Sequence, residues 1–208
     1  MSKPKQSNMV EKLYGTKIGK LVYDRCQELS EDFNKRVQEY VYDIMWAKPG
    51  MTLQEKSLIT VVSLIVSNRA EQLKVHLWGL FHQGYTPEDI LAILNYMLEN
   101  QYINTIENAK KILFDSKNEY DEIVNATLSS KKTIDLTNNS REKNIIDFAV
   151  HIAICDNLKT EQCIKKLLAN NQISIDHMRN ILQHAAVYCG YPVEMNGLGV
   201  LHKIKVGR

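Results

Sequence analysis

"EQLKVHLWGLFHQGYTPEDI", residues 71–90, holds a helix, its stop and the start of the next helix. Leu73, Leu77 and Leu80 recur at the four-and-three spacing of an amphipathic helix. Gly84 ends that helix and Thr86-Pro87-Glu88 opens another, because glycine tolerates a left-handed stop and proline suits the first helical turn. His76 stands among the leucines, with Gln72 one turn back on the same face, where it could orient the imidazole.

The same apolar spacing runs through nearly every other segment. Proline occurs only 4 times and strand-like alternation is absent, so the chain reads as all-α. Helices are expected near 8–25, 30–46, 52–67, 70–83, 87–114, 117–128, 140–156, 160–170, 174–188 and 192–204. Sliding the chain against itself by 88 residues lays "TLQEKSLITVV" over "SREKNIIDFAV" and "GYTPEDILAIL" over "QISIDHMRNIL". Leu80, Ile93, Leu94 and Leu113 then fall on Leu168, Ile181, Leu182 and Leu201. The expected organisation is therefore N-terminal helices (1–47), a first unit (48–116), a connecting helix and loop (117–139) and a second unit (140–208), all in one compact domain. A chain of 208 residues that is 44% hydrophobic is long enough to fill one such core.

Composition removes several classes of function. Lys+Arg 26 against Asp+Glu 24 leaves a net charge of +2 with no basic cluster, which argues against a nucleic-acid partner. The longest apolar run, "LITVVSLIV" (58–66), is too short to span a bilayer, and "MSKPKQSNMVEK" has no signal-peptide core, so no membrane partner and a cytoplasmic location are expected. Cys26, Cys155, Cys163 and Cys189 stand singly, without CxxC or Cys/His zinc spacing; reduced thiols and no metal follow.

Residues 48–94, "KPGMTLQEKSLITVVSLIVSNRAEQLKVHLWGLFHQGYTPEDILAIL", resemble the core of the carboxymuconolactone decarboxylase family, within the alkylhydroperoxidase D-like superfamily. Glu71, Gln72, Leu73, His76 and Gly84 match its Glu-Gln-Leu-x-x-His motif and the glycine eight residues on; "HAAVYCGYPVEMNGLGVL" (184–201) resembles its His-x-x-x-Tyr-Ala-Gly-x-Pro ending. The resemblance implies an alkylhydroperoxidase D-like helical bundle of two similar repeats, the second degenerate, in a homo-oligomer, trimeric or hexameric. It also implies a cofactor-free lyase acting on a small carboxylated or lactone metabolite. His76 would be general acid/base, with an imidazole pKa near neutrality, and Gln72 and Glu71 would accompany it. Glu71 lies about 140° round the helix from His76 by α-helical geometry. The family's peroxidase branch carries Cys-x-x-Cys-x-x-x-His, and here those cysteines are replaced by Arg69 and Gln72. A thiol-based antioxidant would need thiols brought together in space, and a non-catalytic binding protein is the remaining reading.

The family's glutamate nineteen residues before the histidine is Ser57 here, preceded by Lys56 in place of arginine. Ser57, Thr60, Ser63 and Ser67 form a small polar stripe that could line a pocket or let two helices approach. At the position of His76 the second unit has Ile164, and at the position of Tyr188-Cys189-Gly190-Tyr191-Pro192 the first has "NQYIN". At most one kind of site per chain is expected, with His76 joined by Ser57, Thr60, His184 and Tyr188 as substrate-binding residues, within the chain or across a subunit boundary. Asp147, His151 and Cys155 repeat at four-residue spacing and read as a solvated stripe. Trp46 and Trp78 read as core or subunit contacts.

Overall fold

Two helices with almost no solvent-exposed face along their middles organise the chain. α3 (Leu53–Val66) is buried continuously from Glu55 to Leu64, and α7 (Arg141–Ala153) from Asn144 to Ile152. A helix buried on all sides needs neighbours on all sides, and these two pack against each other at the centre. Their N-terminal ends are tied where Arg141 Nε meets the Glu55 carboxylate at 2.5 Å. The computed structural model describes residues 5–104, 106–125 and 133–206, and among them there is no strand.

Around this pair lie α1 (Asn8–Leu29), α2 (Glu31–Arg36), which runs on as a π-helical segment (Val37–Trp46), α4 (Ala70–His82), α5 (Pro87–Glu99), α6 (Glu107–Val124), α8 (Asn157–Ala169), α9 (Ile175–Cys189) and α10 (Tyr191–Val206). α4 packs between α3 and α6, α9 reaches α3, α7 and α10, and α1 covers α4, α6 and the π-helical segment. Leu53 and Arg141 begin their helices 88 positions apart, as do Pro87 and Ile175.

The boundaries follow local chemistry. Thr52 and Thr86 open α3 and α5 with reciprocal capping boxes to Glu55 and Asp89. Several helices end on one hydrogen-bond pattern, in which a residue at positive φ is followed by an N–H that reaches back five residues. Gly84 uses it after α4, with Tyr85 N–H on the Leu80 carbonyl at 3.1 Å. Gln101 uses it after α5, at φ +58°, with Tyr102 N–H on the Met97 carbonyl at 2.8 Å.

That second stop corrects the single helix expected over 87–114. The chain breaks after Glu99, restarts at Glu107 and runs on unbroken to Val124. A glutamine in the left-handed region carries no sequence signal comparable to a glycine. Residues 126–128 of the expected 117–128 helix, and 129–132 of the expected polar loop, lie outside the described residues.

The expected solvated stripe on α7 is also corrected. Asp147 and His151 are buried. The Asp147 carboxylate accepts from the Tyr96 hydroxyl, from Tyr102 Oη at 3.1 Å and from Lys143 Nζ at 2.8 Å. His151 lies edge-on to Tyr102, with ring centroids 5.2 Å apart. This network fastens α5 and the turn after it onto α7, while Cys155 stays exposed at the positive-φ stop of α7.

Candidate functional site

His76 and His184, from opposite halves of the chain, meet beside the same two aromatic rings. The centroids of His76 and Tyr188 are 4.9 Å apart, edge to face, and Tyr188 lies 5.8 Å from His184. Trp46 stands edge-on to His184 at 4.8 Å and parallel to His76 at 6.0 Å. Its indole N–H donates to Tyr188 Oη at 2.8 Å.

Each ring reaches this place by a local device. The π winding of Val37–Trp46 keeps Gln38, Tyr42 and Trp46 in one inward row; such wide turns recur at functional sites. α1 breaks at Gly15, at φ +74° and ψ 171°, just after Tyr14. Opposite that ring Gly79 leaves room, since a Cβ there would lie 3.2 Å from Tyr14 Cε1. Tyr14 Oη thereby reaches His76 Nδ1 at 3.2 Å. On α3, Thr60 Oγ1 stands 3.0 Å from His184 Nε2. His184 Nδ1 is buried without a hydrogen-bond partner among the described residues.

Four expected site residues, His76, Thr60, His184 and Tyr188, therefore converge, and three others do not. Glu71 points outward and pairs with Arg25 at 3.1 Å across the surface. Gln72 is exposed, and Tyr14 takes the orienting position expected for it. Ser57 is buried, with its hydroxyl accepting from Gln83 Nε2 at 2.7 Å at the end of α4. Trp46, read from the sequence as a core or subunit contact, is a wall of the site. Tyr14 lay beyond any motif; the lone glycine within α4 was the signal of a close approach there.

The site is uncharged. His76 is partly exposed at one edge and otherwise enclosed by Tyr14, Trp46 and Tyr188; burial lowers its pKa from 6.5 to about 3, not near neutrality as expected. Burial likewise lowers His184 to about 3, helped by the Lys56 ammonium and by His76. Burial also raises the Tyr14 and Tyr188 phenols well above their ordinary value. Two neutral imidazoles and two neutral phenols can donate and accept hydrogen bonds and pass protons without a standing charge. The thiols are less prepared for chemistry. Burial beside Asp147 pushes Cys163 up to about 12, and burial also raises Cys26 and Cys189, against the thiolate that a peroxidase needs.

Residues 31–115 match the carboxymuconolactone decarboxylase family. That segment runs from α2 into α6 and carries Trp46, Thr60 and His76, whereas Tyr14, His184 and Tyr188 lie outside it. The chain is also similar to a 4-carboxymuconolactone decarboxylase of Acinetobacter baylyi, 22% identical over 71 residues, which is 34% of this chain and 53% of the relative. It thus spans about half the length of the curated relative it matches. The family whose model matches residues 31–115 is the one that the Glu71 to Gly84 motif resembles, and the all-α fold agrees with that likeness.

Neutral burial of the histidines has a consequence for stability. In the unfolded chain each imidazole binds a proton below about pH 6.5, while the folded protein resists protonation until about pH 3. Their contribution is complete above pH 6.5 and is lost as pH falls through that window, by up to about 1.4 kcal/mol per pH unit for each ring. Urea unfolding at pH 6.5 and pH 5 should show His184→Gln losing about 2 kcal/mol less than wild type over this interval. Equal losses would mean that His184 is protonated in the folded protein.

Proposed function

We propose that the protein is a cofactor-free lyase of the carboxymuconolactone decarboxylase type, acting on a small carboxylated or lactone metabolite at the His76 ring assembly. The observation that carries this reading is the meeting of His76 and Thr60 from one half with His184 and Tyr188 from the other, in an uncharged aromatic enclosure.

In such a decarboxylation the bond from the ring carbon to the carboxylate breaks, its electron pair enters the lactone enolate, carbon dioxide leaves, and the carbon takes up a proton. An apolar wall disfavours a buried carboxylate and favours the charge-dispersed enolate. With Nδ1 engaged by Tyr14, Nε2 is the His76 nitrogen available to the substrate. A neutral imidazole can donate to the developing enolate oxygen, as neutral histidines do elsewhere. As negative charge builds beside it, it can serve as general acid/base toward the carbon. Thr60, His184 and Tyr188 would then supply the opposite wall and its hydrogen bonds, and Glu71 and Gln72 are left outside the chemistry.

The 88-residue step from α3 to α7 and again from α5 to α9 supports reading α3–α6 and α7–α10 as two copies of one unit. Exposed Ile44, Tyr191 and Met195 support a homo-oligomer, trimeric or hexameric, that covers them. Light scattering on the eluting protein should give at least three times the 24.0 kDa chain mass, and a monomer would refute the assembly.

Carbon dioxide release from a panel of γ-lactone carboxylates tests the chemistry. His76→Gln should lower turnover by about 10²-fold or more, while Gln72→Ala and Glu71→Ala should leave it within about twofold of wild type, since surface substitutions disturb such a fold little. Full activity in His76→Gln would remove the imidazole from the reaction.

A further inference from the structure

Lys56 holds a buried ammonium that none of the chemistry above uses. It lies on α3 one turn before Thr60 and is 3% exposed. Among the described residues no salt bridge engages it. Its Nζ instead donates to two main-chain carbonyls, that of Trp46 at 2.6 Å and that of Lys48 at 2.5 Å. A buried cation without such partners would be costly to keep.

Those carbonyls belong to the place where the π-helical segment ends. The Ala47 N–H still closes the last wide turn on the Tyr42 carbonyl at 3.0 Å, but the carbonyls beyond it have no helical N–H to accept from. A helix C-terminus carries partial negative charge, so an ammonium there satisfies the orphan acceptors and the dipole together. Trp46 is the last residue of that segment, and its indole is the ring that touches both histidines.

We propose that Lys56 is a positioning residue of the ring assembly: its ammonium ties the C-terminal carbonyls of the π-helical segment to α3 and so fixes the Trp46 indole between His76 and His184. Its significance for catalysis rests on the function proposed for that assembly, whereas the geometry stands on its own. Lysine suits the task because a compact ammonium on a long stem can meet two carbonyls at one point. A planar guanidinium presents its donors in a fixed fork that would spread them.

The two indole N–H groups make the test, because each has a different partner. Trp46 donates to Tyr188 Oη and Trp78 to the Ser116 carbonyl at 3.0 Å, behind α4 and away from Lys56. Indole signals are recorded by proton–nitrogen NMR in wild type, Lys56→Met and Lys56→Arg, and assigned with Trp78→Phe. Methionine keeps the stem and removes the donors; arginine keeps the charge and misplaces the donors. The expected result is a displaced Trp46 signal in both variants, larger in Lys56→Met, with the Trp78 signal at its wild-type position. If Lys56→Met does not fold, Lys56→Arg carries the same test. Either a Trp46 signal unchanged in a folded variant or equal movement of both indoles would overturn the proposal. No ligand is added, so the outcome does not depend on whether lactone acids bind at His76.

Discussion

The burial of α3 and α7 on all sides is the constraint from which the rest of the architecture follows. Neither helix offers a solvent face along its middle, so each must be wrapped, and the other eight elements and the π-helical segment are arranged as wrapping. Polar groups on these helices then have little water, and most find partners inside. Thr60 finds His184, Ser57 finds Gln83, Lys56 finds two carbonyls, and Asp147 finds two phenols and a lysine. The candidate site is one of these enforced meetings, distinguished by two imidazoles and by a ring edge that remains partly open.

Enclosure also decides the form in which the imidazoles work. A histidine placed among aromatic rings loses the hydration that would stabilise its charged form, and among the described residues no carboxylate is paired with His76 or His184 to restore it. The missing glutamate at Ser57 is consistent with this: the ring is not poised as a half-charged acid. Its environment suits hydrogen-bond donation and proton relay through neutral groups. The Cys26, Cys163 and Cys189 thiols, lifted by burial, weigh for the same reading over a dithiol mechanism.

Much of this was legible in the sequence where local chemistry decides the outcome. The helix from Leu73 to Leu80, its stop at Gly84 and the restart at Thr86-Pro87 are written in residues whose backbone preferences are narrow. His76 and the His184–Tyr188 pair were legible through motif. What escaped depended on distance or on exceptions. The Gln101 stop uses a residue type with no turn signature, and the burial of Asp147 depends on phenols from α5 and the following turn. Tyr14 reaches the site only because α1 breaks at Gly15, and Trp46 only because its helix winds as π. Neither event has a reliable sequence period. Glu71 faces solvent because helix geometry turns it from the ring, whereas Gln72 shares the His76 face by spacing and is nevertheless exposed in the first turn of α4.

The central claim is that His76 and His184 form one neutral site. The most direct measurement is nitrogen NMR of histidine-labelled protein at pH 7, with and without each member of a γ-lactone carboxylate panel. Both rings should show the neutral imidazole pattern, and a single compound should move the signals of both together. An imidazolium pattern at His76, or two rings indifferent to every compound, would contradict it.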